Sequence, residues 1–253
     1  MALRENRHGI VFATDVRMAL SDTKILAAID EGSVIIEPFV RQNLATSSYD
    51  VTLGEFFFTE RHPAHFENIF NIYDKDHIDR VWGIEPRRAK KAKDVFKQYN
   101  MNWKGIHPDE QVILMAPGET ILGHTNEFIG GREHVTTMMK ARSSLGRSFI
   151  SVCKCAGWGD VGYINRWTIE IQNTSARYYI PLVVGRRIAQ IVFFETGQIQ
   201  ASDYAASGKY QSGGTLAQLK KSWKPHMMLP RLDLDRDIKA GADRVNGKHK
   251  KKK

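Results

Sequence analysis

Cysteine is nearly absent from this chain: Cys153 and Cys155 are the two in 253 residues. If they lie two apart on one strand, their side chains share a face, a poor geometry for a mutual disulfide, so a reducing compartment is expected. Long apolar runs are also missing. None approaches the roughly 20 residues a membrane-spanning helix needs, and the N-terminal MALRENRHGIVFATDVRMAL is basic, broken by polar residues and without a secretory apolar core. These absences favour a soluble, cytoplasmic protein with no membrane partner. His62, His65 and His77 have no recognisable metal-ligand spacing. Acidic residues are fewer than basic ones, 28 against 37, for a net charge of +9, but five lysines sit in the terminal GKHKKKK and leave +4 without them. The body of the chain is therefore not read as a nucleic-acid surface; only the tail could attract nucleic acid, and weakly.

A hydrophobic fraction of 42% is enough for a real core. At this length the chain fits one large all-β domain or two small ones. Residues 1–19 carry no motif and read as an extension. Ile25, Leu26 and Ile29 recur at helical spacing between the capping residues Ser21 and Asp22 and the stop at Gly32, which predicts a helix over 23–31. VIIEPFV (34–40) reads as a short strand broken at Pro38. SSYDVTLGEFFFTE reads as strand with Asp50 inside it, either a surface residue or one that fixes an interface. Residues 61–111 shift in composition and read as a partly helical insertion, in which RRAKKAKDVFKQY (87–99) is a basic, solvated helix. Strands return in QVILMA, ETILGHT, VTTMMKA, YYIPLVV and RRIAQIVFFE, separated by turns at Pro117-Gly118 and Val184-Gly185-Arg186. Many short strands and few helices indicate an all-β double sheet. Residues 216–253 read as a basic tail of weak periodicity that ends in disorder.

The chemistry concentrates in residues 139–173, MKARSSLGRSFISVCKCAGWGDVGYINRWTIEIQN. ARSSLGR sets Ser143 and Ser144 between Arg142 and Arg147, with Gly146 allowing close backbone approach. Guanidinium groups fork onto phosphate oxygens and hydroxyls take the remaining lone pairs; a loop with solvated serines and surface arginines would look the same. In AGWGDVGY, glycines surround Asp160 as in a tight turn. WTIEI alternates with the strand period, so Trp167, Ile169 and Ile171 share one face and Thr168 and Glu170 the other. Were both faces covered, the Glu170 carboxyl would be poorly hydrated, its pKa raised, and it would suit proton transfer. Were its face open, Glu170 would be a solvated strand residue.

In this order and spacing, RSSLGR, AGWGDVGY and TIEI resemble the signature of dCTP deaminases, including bifunctional members that release dUMP, and more distantly that of trimeric dUTPases. SDTKILAAIDEGSVIIEPF, SSYDVTLGEFF, APGETILGHTNEFI, GRRIAQIVFFE and SGKYQ resemble flanking family segments, so the likeness spans residues 21–215, within a domain of residues 20–215. It implies a dUTPase-like β-clip, a distorted jelly roll, assembled as a homotrimer with active sites shared between subunits. It also implies hydrolytic deamination of dCTP to dUTP and ammonia, feeding thymidylate synthesis. The H-x-E and P-C-x-x-C elements of zinc deaminases are absent, so no zinc and no metal-ligating residue is expected; Mg²⁺ would travel with the triphosphate.

By the same resemblance Glu170 matches the family's proton-shuttling carboxylate, a residue dUTPases lack. Arg142, Ser143, Ser144 and Arg147 bind phosphates and order the site, with Ser143 and Arg147 counted in the catalytic set. Asp160 meets the deoxyribose 3′-hydroxyl and, in phosphate-cleaving members, helps orient a water. Thr168 and Ile169 offer backbone groups to the base, Gln190 contacts ligand, and Tyr204, Lys209 and Gln211 belong to the segment that closes over the phosphates. Three departures stand out. Cys153-Lys154-Cys155 replaces a His-x-Thr tied to nucleotide-dependent closure, so feedback by dTTP is not carried over. Trp158 stands where strictly deaminating bacterial members tend to have Arg and dUMP-forming members an apolar aromatic. KYQSGGT lacks the second Gln usual after KYQ. Three outcomes remain open: a deaminase yielding dUTP or dUMP, a dUTP diphosphatase without deaminase activity, and a non-catalytic nucleotide-binding relative.

Overall fold

Ser21 opens the first ordered helix by accepting the Lys24 N–H on its hydroxyl at 3.4 Å, and Gly32 closes it at φ 85°, a left-handed backbone that glycine adopts without steric cost. This helix, α1 (Asp22–Glu31), buries Ile25 and Ala28 against the sheets. The computed structural model describes residues 3–5, 11–13, 19–64, 68–100, 104–197, 199, 204, 208–211 and 215–235. His65, Ser207, most of the N-terminal extension and the lysine-rich end lie outside the described residues.

Before α1, β1 (Leu3–Glu5) and β2 (Val11–Ala13) pair antiparallel. After it come β3 (Val34–Glu37), β4 (Tyr49–Thr52), β5 (Phe56–Thr59), α2 (Lys75–Trp82), β6 (Arg87–Arg88), β7 (Lys90–Lys91) and α3 (Ala92–Tyr99). The chain continues through β8 (Gln111–Met115), β9 (Thr120–Gly131), β10 (Val135–Ala141), α4 (Ser143–Arg147), β11 (Ile150–Val152) and β12 (Trp158–Gly159). It ends with β13 (Ile164–Asn173), β14 (Ile180–Val183), β15 (Arg187–Glu195) and α5 (Leu216–Ser222). Three larger sheets result, ordered β11-β13-β9-β5-β6 with β3 also on β9, β12-β10-β15-β4, and β14-β8-β7. The protein is mostly β with few helices, as expected. Among the described residues no helix is long and apolar enough to cross a membrane.

The alternation in WTIEI does what its pattern predicts. Trp167, Ile169 and Ile171 are buried in the main core with Tyr49, Ile121, Ile129 and Phe193, while Thr168 and Glu170 are half-buried on the opposite face. The antiparallel register sets Glu170 beside Leu122 and Thr168 beside His124.

Three expectations need correction. Arg87–Tyr99 is not one helix: it begins as β6 and β7, because Arg88 pairs with Phe56 of β5 and Lys90 with Val112 of β8, and helix starts only at Ala92. Cys153 and Cys155 do not share a strand face. β11 stops at Val152, positive φ at Cys153 (64°) and Lys154 (39°) turns the chain, and Cys153 is buried while Cys155 is exposed. Residues 215–235 are not a loose tail. Thr215 and Gln218 form a capping box on α5, and Leu219, Met228 and Leu229 are buried against the body. Weak periodicity hid this because the segment docks through a few scattered apolar residues.

Candidate active site

The turn after β12 and the middle of β13 meet at one cavity of about 450 Å³. Glu170 and Thr168 rise from the polar face of β13, Asp160 projects from the turn, and Tyr163, Trp158 and Tyr204 supply ring surface. Asp160 is placed by packing beneath it. Gly159 lies so close to the sheet that a Cβ would come 2.4 Å from Thr137 Oγ1 and 2.5 Å from the Trp167 ring, so only glycine fits there. Thr136 donates its hydroxyl to Gly159 O at 2.7 Å, and Asp160 O accepts the Tyr163 N–H at 3.0 Å.

Burial pushes the Glu170 carboxyl above the ordinary carboxylate range, opposed by its own backbone N–H and the Lys154 ammonium. This is the poorly hydrated alternative of the two that the sequence left open. Tyr204 is also shifted upward, first by burial. Its ring meets Tyr163 edge-on at 5.0 Å, Tyr163 meets Trp167 at 5.1 Å, and its hydroxyl accepts the Tyr210 N–H at 3.3 Å. An aromatic column thus runs from the core to the cavity wall.

The remaining sequence-derived residues are distributed as follows. Ile169 is fully buried, with its side chain on the core face. Arg142 faces a different cavity of about 960 Å³, shared with Arg166, Arg186, Arg187 and the Glu127 carboxylate. Ser143, Ser144 and Arg147, on α4, are exposed and do not line the Glu170 cavity. Gln190 is half-buried on β15 between Asp50 and Lys140 and is not on that cavity either. Lys209 pairs with Asp235 at 3.0 Å. Gln211 is buried, accepting the Ile164 N–H at 2.8 Å and donating to Gly162 O at 3.0 Å, so its amide fastens the closing segment to β13.

Several residues of consequence had no local signal. Trp82 from α2 and Met228 and Pro230 from the C-terminal segment complete the cavity wall, held by a small core of Phe58, Ile78, Leu122, Met228 and Leu229. Arg231 N donates to the Tyr210 hydroxyl at 3.1 Å and Arg231 Nη1 to Lys209 O at 2.7 Å, which ties this roof to the closing segment. Asp50, read as surface or interface, is buried and takes Arg187 Nη1 at 3.0 Å and the Arg142 guanidinium at 3.5 Å. His124 is fully buried: Phe56 N–H donates to Nε2 at 3.2 Å, Nδ1 lies 2.8 Å from Thr125 O, and burial lowers its pKa to about 4, so its ring is neutral. Among the described residues no group of three or more His, Cys, Asp or Glu side chains could hold a metal ion.

The half-buried Glu170 carboxyl thus lies in a cavity whose volume falls within the range usual for small-ligand sites. Residues 19–196 match the dCTP deaminase-like family model, which is most of the chain. The chain belongs to the dCTP deaminase-like family. A dUMP-forming dCTP deaminase of Hydrogenobaculum sp. is 30% identical over 202 residues, covering 80% of this chain and 96% of that protein. Another, from Corynebacterium jeikeium, is 30% identical over 197 residues, covering 77% and 92%. Among solved structures, the 2′-deoxycytidine 5′-triphosphate deaminase of Agrobacterium tumefaciens aligns at TM-score 0.47 and 14% identity, over 72% of this chain and 49% of that one, so this chain spans about half its length.

Proposed function

We propose that this protein is a dCTP deaminase that carries its substrate on to dUMP. The observation that carries the reading is the desolvated Glu170 carboxyl in one cavity with Asp160. Deamination at C4 adds water to the ring carbon, moves a proton to N3, and expels the amine as ammonia. Glu170 accepts the proton of the attacking water, passes it to N3, and returns a second proton to the departing nitrogen as the C4 carbonyl forms. A carboxyl raised by desolvation is a stronger base toward water and a readily reprotonated acid, which suits both halves of the exchange. The strand backbone at Thr168 and Ile169 offers hydrogen bonds to the base edge.

Asp160 accepts from the deoxyribose 3′-hydroxyl and orients a second water toward the α-phosphate. That water displaces pyrophosphate, so dCTP and two waters give ammonia, dUMP and pyrophosphate. The relatives are dUMP-forming, and the apolar Trp158 on the cavity wall suits that outcome. In the homotrimer we infer, a β-clip assembly, the phosphates are gripped by Arg142, Ser143, Ser144 and Arg147 of an adjoining copy and covered by the segment bearing Tyr204, Lys209 and Gln211. Mg²⁺ would be held by the phosphate oxygens and water, supplying charge compensation. The nucleotide substrate and free thiols suit the cytoplasm.

Separate incubations with dCTP and with dUTP, each with Mg²⁺ and with measurement of ammonia, dUTP, dUMP and pyrophosphate, test this reading. Ammonia, dUMP and pyrophosphate in equal amounts are expected from dCTP. Ammonia with accumulating dUTP would remove the second step, and pyrophosphate from dUTP with no ammonia from dCTP would remove the first.

A further inference from the structure

The chain crosses from one sheet to another at Ala89. β6 ends on the edge of β5, β7 begins on the edge of β8, and α3 folds back over the gap. A cavity of about 510 Å³ lies in this seam and shares no lining residue with the Glu170 cavity. Its floor is apolar, from Phe57, Val112 and Leu114, and its side is the ring of Tyr99, tilted against Tyr179 at 5.9 Å between centroids. Arg87, Arg88 and Lys90 line it as well.

The charge on this wall is only partly spent internally. Arg88 is held by Glu55 at 2.7 Å, and Lys91 and Lys93, which face away, by Asp109 at 3.9 and 3.1 Å. Among the described residues, Arg87 and Lys90 have no acidic partner. Two unmatched cations facing an apolar, ring-walled space call for an anion with a flat hydrophobic part. The Gln98 amide and the Glu119 carboxylate, whose Oε2 accepts the Ala116 N–H at 2.7 Å, add hydrogen-bonding groups for a ring edge. The volume lies in the range of roughly 300–1,000 Å³ usual for small-ligand sites, which suits a single nucleotide better than a strand.

We propose that this seam is a second nucleotide site, taking a nucleoside phosphate with its base between Tyr99 and Phe57 and its phosphates on Arg87 and Lys90. The proposal is independent of the activity assigned to the Glu170 cavity. Equilibrium dialysis of the full-length protein, in a Glu170→Gln/Asp160→Asn background that disables both proposed chemical steps, against a panel of ribo- and deoxyribonucleoside triphosphates tests it. The expected result is a class of bound nucleotide whose affinity falls about tenfold or more in Arg87→Glu/Lys90→Glu, and several-fold in Tyr99→Ala, with tripolyphosphate competing more weakly than the nucleotide. Should the charge reversal fail to fold, as judged by its Tm, Arg87→Gln/Lys90→Gln is held to the same criterion. Unchanged binding in the variant overturns the proposal. So does tripolyphosphate binding as tightly as the nucleotide, or an oligonucleotide that needs Arg87 and Lys90 when no mononucleotide does. The same substitutions in the protein with Glu170 and Asp160 intact should leave dCTP turnover unchanged, so the two readings stand or fall separately.

Discussion

Glu170 and His124 sit across neighbouring strands, and burial drives both toward neutrality. Glu170→Gln keeps size and hydrogen-bonding capacity but ends proton transfer, so ammonia release should drop about 10²- to 10⁴-fold while nucleotide binding is retained; undiminished release would remove Glu170 from the reaction. The same substitution has a stability signature. Because the folded carboxyl is shifted upward, the native state binds the proton more tightly than the unfolded chain. Wild-type stability therefore falls as pH rises from the ordinary value of 4.5 through the raised one. Urea unfolding should show Glu170→Gln gaining on wild type as pH rises above 4.5. His124 works in the other direction. Its folded pKa of about 4 lies below the unfolded 6.5, so the unfolded chain takes up the proton first and stability is lost as pH falls through that window. The stability gap between wild type and His124→Gln should shrink by up to about 2 kcal/mol from pH 7 to pH 5; a gap that does not change with pH would mean the ring is not held neutral.

At the scale of elements, Asp50 shows how a side chain ties strands together. Its carboxylate on β4 gathers Arg187 from β15 and Arg142 from the entry to α4. Asp50→Ala should cost about 1–3 kcal/mol in urea unfolding and release the N-terminus of α4; full retention of stability would mean that the two arginine contacts contribute nothing net. What was legible in the sequence were elements whose reason to form is local. α1 carries its own cap and stop, and β13 declares its two faces by alternation, which put Thr168 and Glu170 on one face but left open whether that face is covered. What was not legible depends on distant partners. Arg87–Lys91 has helical composition yet becomes edge strand, because β5 and β8 offer unpaired backbone there. The roof of the cavity joins Trp82 to Met228 through Ile78 and Leu122, contacts between residues far apart in sequence that no periodicity encodes.

At the scale of the molecule, the chemical groups are divided between places. The carboxyl of Glu170 lies in its cavity, while Ser143, Ser144 and Arg147, three of the four phosphate-binding residues proposed above, are exposed on α4 and absent from that cavity's wall. A chain acting alone would leave its proton shuttle without a polyphosphate grip, so the reading requires that copies combine, each giving α4 to a neighbour's cavity. Closed rings of three satisfy this with identical contacts throughout. The consequence is complementation between two inactive proteins. Glu170→Gln and Arg147→Ala should each be nearly inactive alone. Co-expressed one to one, they form mixed rings in which some cavities hold a native Glu170 from one copy and a native Arg147 from the next. Random mixing of rings with head-to-tail contacts should restore about a quarter of wild-type turnover. Mixed rings verified by mass that show no activity would place both residues of each site on the same chain, and the sharing of sites between copies would fall.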